Sequence, residues 1–375
     1  MYTVLDSIGT ANPPFRRSQV EAAAFMARLR GFSEATQNRI ARIYQQSGIE
    51  YRYSCIEDYG LEPGQFSFFP NNADLQPPPS TQDRNRCYQM WAKTIAASAA
   101  QQALEQAGLK AETMTHLIVV SCTGFSAPGV DIHLIESLGL STTVARTLVG
   151  FMGCHGALNG LKLAHALCQS DGQAKVLLVC VELCSLHFQI NNSIENLVIN
   201  AIFADGAAAA ILRSQSYSEA VGKLVYQDSY SQVLAGEDLM NWTIGDTGFL
   251  MGLSPKVPGV IAEHLPRVLK DFLAKHQLTS ADIDGWVIHP GGRKIVETIQ
   301  TLFTLPQQLV QDSFEILRLY GNMSSPTVLF VLKLLLARHR ASVVEGKGLN
   351  HILGLAFGPG LTIESCLWRQ LGAKA

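Results

Sequence analysis

With 375 residues, 47% of them hydrophobic and only 16% charged, the chain is too long for one ordinary core and too apolar to be disordered. A net charge of −2 with no basic run argues against a nucleic-acid partner. Met1-Tyr-Thr-Val-Leu-Asp6 has neither the basic nor the apolar region of a secretory leader, and no uninterrupted apolar run reaches the ~18 residues of a membrane span. Val328 to Ala337 comes closest and is broken by Lys333. Eight cysteines without a regular framework suggest reduced thiols and a cytoplasmic protein. The C-x3-C pair Cys180 and Cys184 lacks a second ligand pair, which makes zinc a weak reading.

Taken in chain order, residues 17–47 predict helix with a polar face, on which Arg39 and Arg42 lie three apart. That pair is either a solvated face or a grip on a phosphate-bearing substrate. Residues 51–83, rich in Pro, Asn, Asp and Gly, predict an irregular segment, and Asn85 to Ala107 an amphipathic helix. Thr115 to Gly124 reads as a buried strand ending in a turn. Leu148-Val-Gly-Phe-Met-Gly-Cys154-His-Gly-Ala-Leu predicts a sharp turn opening an apolar helix. Ala174 to Glu182 is a second buried strand, and Ile199 to Leu212 turns a short helix into a strand of small residues.

The second half repeats this order. Asp284 to Gly292 is a strand ending in a Gly turn. Leu319 to Ala337 is a Gly turn opening an apolar helix. His351 to Glu364 supplies the last strands around a Gly-Pro-Gly turn. The interval from Cys122 to Cys154 (154 − 122 = 32 residues) nearly equals that from His289 to Asn322 (322 − 289 = 33 residues). One α/β unit used twice explains the match. It puts Cys154 and Asn322 at equivalent helix starts and His289 at a strand end, where open α/β sheets bind ligands.

Those three residues suit nucleophilic chemistry at a carbonyl. A thiol at a helix N-terminus is expected to ionise more readily than a free one, and the thiolate is the nucleophile. A His partner holds the thiolate, and His and Asn N–H groups suit a developing oxyanion. Singly, each has a plain alternative: a buried structural Cys, a turn-closing His, a helix-capping Asn. His155 points elsewhere and reads as structural. Cys…His…Asn is also the order in papain-like proteases, but the sequence around Cys154 lacks their signature.

Over nearly its whole length the chain resembles the thiolase-fold condensing enzymes, and within them the type III polyketide synthases of the chalcone synthase kind. The resemblance rests on Gly150-Phe-Met-Gly-Cys154, Phe203-Ala-Asp205-Gly-Ala, Trp286-Val-Ile-His289-Pro-Gly-Gly, Tyr320-Gly-Asn322-Met-Ser-Ser and Phe357-Gly-Pro-Gly360. It implies a five-layered αβαβα fold, with residues 1–218 as the half carrying the nucleophilic Cys and residues 219–375 as the half carrying His and Asn. It implies a homodimer, Cys154 as acyl carrier with His289 and Asn322 as partners, and no cofactor beyond coenzyme A thioesters as substrates. Phe203 matches a gatekeeper Phe, Gly358, Pro359 and Gly360 a cavity-shaping loop, and Arg39 and Arg42 residues that bind coenzyme A phosphates.

Departures from the chalcone-forming pattern fall on the cavity. Met251 stands for a second gatekeeper Phe, Cys122, Cys184 and His187 stand for Thr, Ala127 for a Met that reaches across the dimer, and Trp242 for a Gly. The surround of His187 is similar to bacterial members that extend fatty acyl starters with malonyl-CoA to alkylresorcinols or alkylpyrones. The expected activity is therefore iterative decarboxylative condensation on an acyl starter, delivered on coenzyme A or on an acyl-carrier protein. The alternatives are a single-round ketoacyl-acyl-carrier-protein synthase, another aromatic polyketide synthase, an acyl-Cys hydrolase, and a scaffold that keeps only the fold. Met251 adds room for an alkyl chain and Trp242 removes it, so the product stays open.

Overall fold

Strand periodicity in the buried run Lys175–Leu183 sets the architecture. Val176, Leu178 and Cys180 point into one apolar cluster, while Leu177, Val179 and Val181 point into another, so this strand is covered on both faces. The computed structural model describes residues 1–29, 32–234, 237–342 and 349–372. The strands are β1 (Tyr2–Ala11), β2 (Phe15–Ser18), β3 (Tyr51–Ser54), β4 (His116–Ser121), β5 (Ala145–Gly150), β6 (Lys175–Leu183), β7 (Asp205–Gln215), β8 (Leu224–Val233), β9 (Met240–Gly245), β10 (Gly248–Leu253), β11 (Gly285–Ile288), β12 (His351–Gly358) and β13 (Thr362–Gln370). The helices are α1 (Gln19–Ala27), α2 (Glu34–Gln46), α3 (Thr81–Ala107), α4 (Val130–Leu138), α5 (Gly156–Ser170), α6 (Ile194–Ile202), α7 (Tyr217–Ala220), α8 (Val257–Ala274), α9 (Arg293–Leu302), α10 (Gln307–Tyr320) and α11 (Thr327–Ser342).

Nine strands form one sheet in the order β11-β12-β13-β8-β1-β7-β6-β4-β5. The expected duplication is written in its ladders. In the first half β4 runs parallel to β6, β6 antiparallel to β7, and β7 antiparallel to β1. In the second, β11 runs parallel to β12, β12 antiparallel to β13, and β13 antiparallel to β8. The halves meet where β1 pairs β8, at Thr3 with Tyr226 and Val4 with Val225.

Five layers result. Helix α3 covers the outer face of the first half-sheet, α5 and α11 fill the space between the half-sheets, and α8 and α9 cover the outer face of the second. This is the thiolase-like αβαβα arrangement that the family resemblance implies. Small residues allow the close approach: Ala92, Ala96, Ala99, Ala100 and Ala103 of α3 are all buried, and Ser7 of β1 donates to the Ala103 carbonyl at 2.7 Å. No helix among the described residues is long and apolar enough to cross a membrane.

Three local expectations are corrected. Residues 17–47 are not one helical stretch: β2 ends at Ser18, and α1 and α2 are separate helices. β2 pairs with the distant β3, and Ser18 starts α1 through a capping box with Glu21. The long Ala-rich helix begins at Thr81 rather than Asn85, capped by Ser80 with Asp83. Asn322 does not open a helix. α11 begins five residues later, because Ser324 takes a left-handed backbone (φ +58°) and Pro326 follows.

Candidate active site

Cys154 is delivered by a tight turn. Phe151 and Gly153 both have positive φ, at +55° and +69°, and a Cβ on Gly153 would come within 2.5 Å of the Pro359 ring. Gly153–His155 form one 3-10 turn, and α5 continues from it directly. The sulfur is buried and lies 3.9 Å from both Oδ1 and Nδ2 of Asn322. Asn322 is itself fixed: its Nδ2 donates to the Gly291 carbonyl at 3.1 Å, its Oδ1 accepts from the Ser324 N–H at 2.8 Å, and its backbone bridges Phe203.

His289 ends the strand β11 and is buried, and neither ring nitrogen has a protein partner among the described residues. Because buried polar atoms are normally satisfied, two open nitrogens on one ring mark a place for a ligand. Burial pulls the His289 imidazole down to about 3 and pushes the Cys154 thiol up to about 11; hydrogen bonds from Ser324 and Asn322 oppose the latter. The expectation of a thiol made acidic by a helix N-terminus is therefore corrected. Burial raises the thiol against the hydrogen bonds that lower it, so a thiolate here needs a cationic partner. His155 is structural, as expected: its Nδ1 meets Asn159 Nδ2 at 2.7 Å, and Gly358 packs directly on its ring.

The cavity at Cys154 is small, about 20 Å³, and is bounded by Cys122, Cys184, Phe203, Trp242, Met251 and Pro359. Cys184, Phe203, Trp242 and Met251 also bound a second, larger chamber of about 260 Å³. That chamber extends to Phe25, Tyr59 and Phe188, whose rings pack on one another edge to face. Trp242 and Met251 are cross-strand partners in the β9–β10 hairpin. The Trp242 indole donates to the Cys122 carbonyl at 2.7 Å and meets the His187 ring edge-on. His187 stacks flat on Phe249 at 4.3 Å, contacts the Thr123 carbonyl through Nε2, and accepts from the Phe249 N–H through Nδ1. Burial holds it neutral, down to about 3. Met251, Trp242 and His187 thus make one braced wall between the two spaces. Gly358 ends β12, Pro359 roofs Gly153, and the Gly360 N–H donates to Met240, which ties this loop to the hairpin.

Arg39 and Arg42 are exposed on α2 and make no ion pair among the described residues; they line neither cavity. Sequence reasoning missed two anchors. Arg52 donates to the carbonyls of Asn200 and Phe203 at 2.9 and 2.6 Å, so a cation caps the end of α6 and fixes Phe203. Glu182, fully buried, accepts from the Cys122 N–H, the Thr123 hydroxyl and the Ser325 hydroxyl at 3.0, 2.8 and 2.8 Å. Burial raises its carboxyl and these bonds partly offset the rise. A lone charged residue inside an otherwise apolar strand was the available signal for Glu182.

Comparison with known proteins agrees with this geometry. The profile for "Chalcone and stilbene synthases, N-terminal domain" matches residues 2–216, and that for the C-terminal domain matches residues 227–372. The chain is 31% identical over 368 residues to the Mycobacterium tuberculosis protein "Alpha-pyrone synthesis polyketide synthase-like Pks18", covering 97% of this chain and 90% of that one. It is 31% identical over 386 residues to 1,3,6,8-tetrahydroxynaphthalene synthase of Streptomyces peucetius subsp. caesius, covering 98% and 95%. The crystal structure of PKS-I from the brown alga Ectocarpus siliculosus superposes with a TM-score of 0.93 at 36% identity, covering 98% of each chain. With a buried Cys–Asn pair, an open buried His and these matches together, the chain belongs to the chalcone and stilbene synthase family and is a type III polyketide synthase, an acyltransferase.

Proposed function

We propose that this enzyme extends a fatty acyl starter with malonyl-CoA on Cys154 and releases an alkylpyrone. The observation that carries the reading is a chamber of about 260 Å³ that shares its wall with the 20 Å³ cavity at Cys154 and has an aromatic side built from Phe25, Tyr59 and Phe188, beside a polar side that includes Arg17, Arg52 and Glu195. An apolar tail fits along the aromatic side of the first, while the second leaves room for few extensions. Short chains close by lactonisation to a pyrone, whereas the longer ones needed for an alkylresorcinol call for more space. The name of the Mycobacterium relative, with its alpha-pyrone, supports the same choice.

In this reading the Cys154 sulfur attacks the starter thioester and its proton passes to His289, which the two open ring nitrogens permit. The carrier thiol leaves and takes a proton. Malonyl-CoA then binds with its thioester carbonyl against His289 and the Asn322 amide. Loss of carbon dioxide leaves the electron pair on the α-carbon, and the enolate oxygen is held by those donors. The carbanion attacks the acyl-Cys154 carbonyl and expels the Cys154 thiolate. Decarboxylation supplies the carbanion, so the reading calls on no metal or resident cofactor. Phe203 and Met251 gate the passage, and Arg39 and Arg42 hold coenzyme A phosphates.

A homodimer is part of the proposal. β5 is the sheet's edge and is exposed along its length, with Leu148 at 61%, and Phe125 and Phe151 lie exposed nearby. A second copy covering that edge would satisfy it. The eight free, buried cysteines support a reducing, cytoplasmic setting.

Mass spectrometry of products from malonyl-CoA and acyl-CoA starters of graded length is the test. Triketide pyrones peaking at medium or long alkyl starters are expected, with none from Cys154→Ala. A single-extension product would favour the ketoacyl synthase alternative, and condensed product from Cys154→Ala would refute the role of Cys154. Light scattering of wild type and Leu148→Glu is expected to read dimer and monomer.

A further inference from the structure

The chamber of about 260 Å³ is two-sided, and its polar side carries positive charge that no carboxylate of the described residues neutralises. Phe25, Tyr59 and Phe188 form the aromatic side. Arg17 and Arg52, both half-buried, line the same space. Arg52 donates through Nε to the Gln19 amide oxygen at 2.9 Å and through Nη1 to the Asn200 and Phe203 carbonyls. Arg17 donates through Nη1 to the Arg16 carbonyl at 3.1 Å and through Nη2 to the Glu57 carbonyl at 3.3 Å. Its Nε is buried and has no protein partner among the described residues. Gly60 packs so closely on this guanidinium that a Cβ there would come within 2.1 Å of Nε, which fixes the group in place.

The neighbouring acids are engaged elsewhere. Glu57 meets Arg17 through its carbonyl and not its carboxylate. Glu195 also lines the chamber, but it is exposed and accepts from the Leu253 N–H. Asp205 is fully buried and accepts from the Cys55 and Ser185 N–H groups at 2.8 Å each and from the Ser185 hydroxyl at 2.6 Å. Arg84, buried as well, donates to the Leu186 and Phe188 carbonyls and adds a further cation at the Phe188 wall. Buried polar atoms are normally satisfied, and half-buried charge calls for an opposite charge. An apolar wall takes a hydrocarbon chain, and a fixed guanidinium takes a carboxylate, whose two oxygens match its planar fork.

We propose that Arg17, with Arg52 in the same lining, binds the carboxylate of a long-chain acid whose hydrocarbon lies along Phe25, Tyr59 and Phe188. Two sources supply that chemistry. One is the far end of an ω-carboxyacyl starter carried on Cys154, since Arg17 lines the chamber but not the cavity at Cys154. The other is a free fatty acid that occupies the chamber and competes with starters. The first source rests on the reading that acyl thioesters are extended on Cys154; the second does not.

Two measurements separate them, each made on wild type, Arg17→Gln and Arg17→Lys. The first compares kcat/KM for ω-carboxyacyl-CoA starters of graded length with that for their ω-carbamoyl analogues, which keep the shape and lack the charge. The second is calorimetric titration of free fatty acids and the matching primary amides. Wild type is expected to favour the ω-carboxyl starter about tenfold over its carbamoyl analogue, with the ratio near one in Arg17→Gln and partly recovered in Arg17→Lys. A preference for carboxylate over amide among the free acids alone assigns the free fatty acid as the ligand. Loss of product from every starter, with the free-acid preference intact, removes the condensation reading and leaves the site standing. Equal handling of carboxylate and amide by wild type in both measurements overturns the proposal, whether or not a variant folds. A preference that Arg17→Gln leaves unchanged overturns it too.

Discussion

Replacing His289 with Gln should strip Cys154 of its reactivity through acidity rather than through shape. Burial pushes the thiol up to about 11 even with Ser324 and Asn322 helping to lower it. At pH 7 such a thiol is ionised in roughly one molecule in 10⁴. An imidazolium at His289 faces the mirror-image cost, since burial, with His155 adding to it, pulls it down to about 3. Each charge is expensive singly, and each is the natural compensation for the other. Holding Cys154 as thiolate at neutral pH means bringing its value down by four units (11 − 7 = 4), a stabilisation of roughly 5–6 kcal/mol at about 1.4 kcal/mol per pH unit. The assay is the pH dependence of iodoacetamide inactivation, with the modified peptide identified by mass spectrometry. Wild type should approach its plateau rate near neutrality. In His289→Gln the rate at pH 7 should fall at least 100-fold and keep rising about tenfold per pH unit beyond pH 9. Superimposable profiles would refute the reasoning, because the thiolate would then owe nothing to His289.

Further expectations follow from single contacts. Gly153→Ala puts a Cβ at positive φ against Pro359, so a cost of about 2–3 kcal/mol in urea unfolding and a kcat loss near 100-fold are expected from a displaced Cys154. Trp242→Ala removes the wall between the two cavities and its bond to the Cys122 carbonyl; longer products should appear by mass spectrometry, at a stability cost of about 2–3 kcal/mol. Glu182→Ala leaves the Cys122 N–H and the Thr123 and Ser325 hydroxyls without their acceptor, a loss of about 3–5 kcal/mol in urea. Burial raises the Glu182 pKa above its unfolded value, so its contribution is greatest at low pH and fades as pH climbs through the raised value. The stability difference between wild type and Glu182→Gln should accordingly fall from pH 5 to pH 8, and a rise would contradict this.

What the sequence disclosed and what it withheld divide along a physical line. Apolar runs such as Lys175–Leu183 and the spacing of Cys154, His289 and Asn322 are local or periodic, and they carried both the duplicated fold and the three central residues. Ser18 and Tyr51 pair across 33 residues, so β2 was hidden inside a stretch of helical composition. Asn322 was read as a helix start because nothing local reveals that Ser324 turns left-handed before Pro326. The ionisation of Cys154 was misjudged for a similar reason, since burial is a property of the assembled halves. Arg52 and Glu182 act across 148 to 151 and 59 to 143 residues of chain, respectively, and no spacing rule reaches that far.

Because Met251 and Trp242 face each other across one two-stranded hairpin, the residue proposed to gate entry and its partner in the wall of both cavities ride on a single body. A substitution that tilts β9 and β10 to admit a bulkier donor also changes the volume in which the chain is folded, and the reverse holds for one that enlarges the cavity. With Met251 as the proposed gate, substrate entry and product size are expected to be inherited together. Variants selected for a new starter should carry altered product lengths as a by-product, and restoring the original length would demand a second change off the hairpin, with the Gly358-Pro359-Gly360 loop as the nearest place to make it.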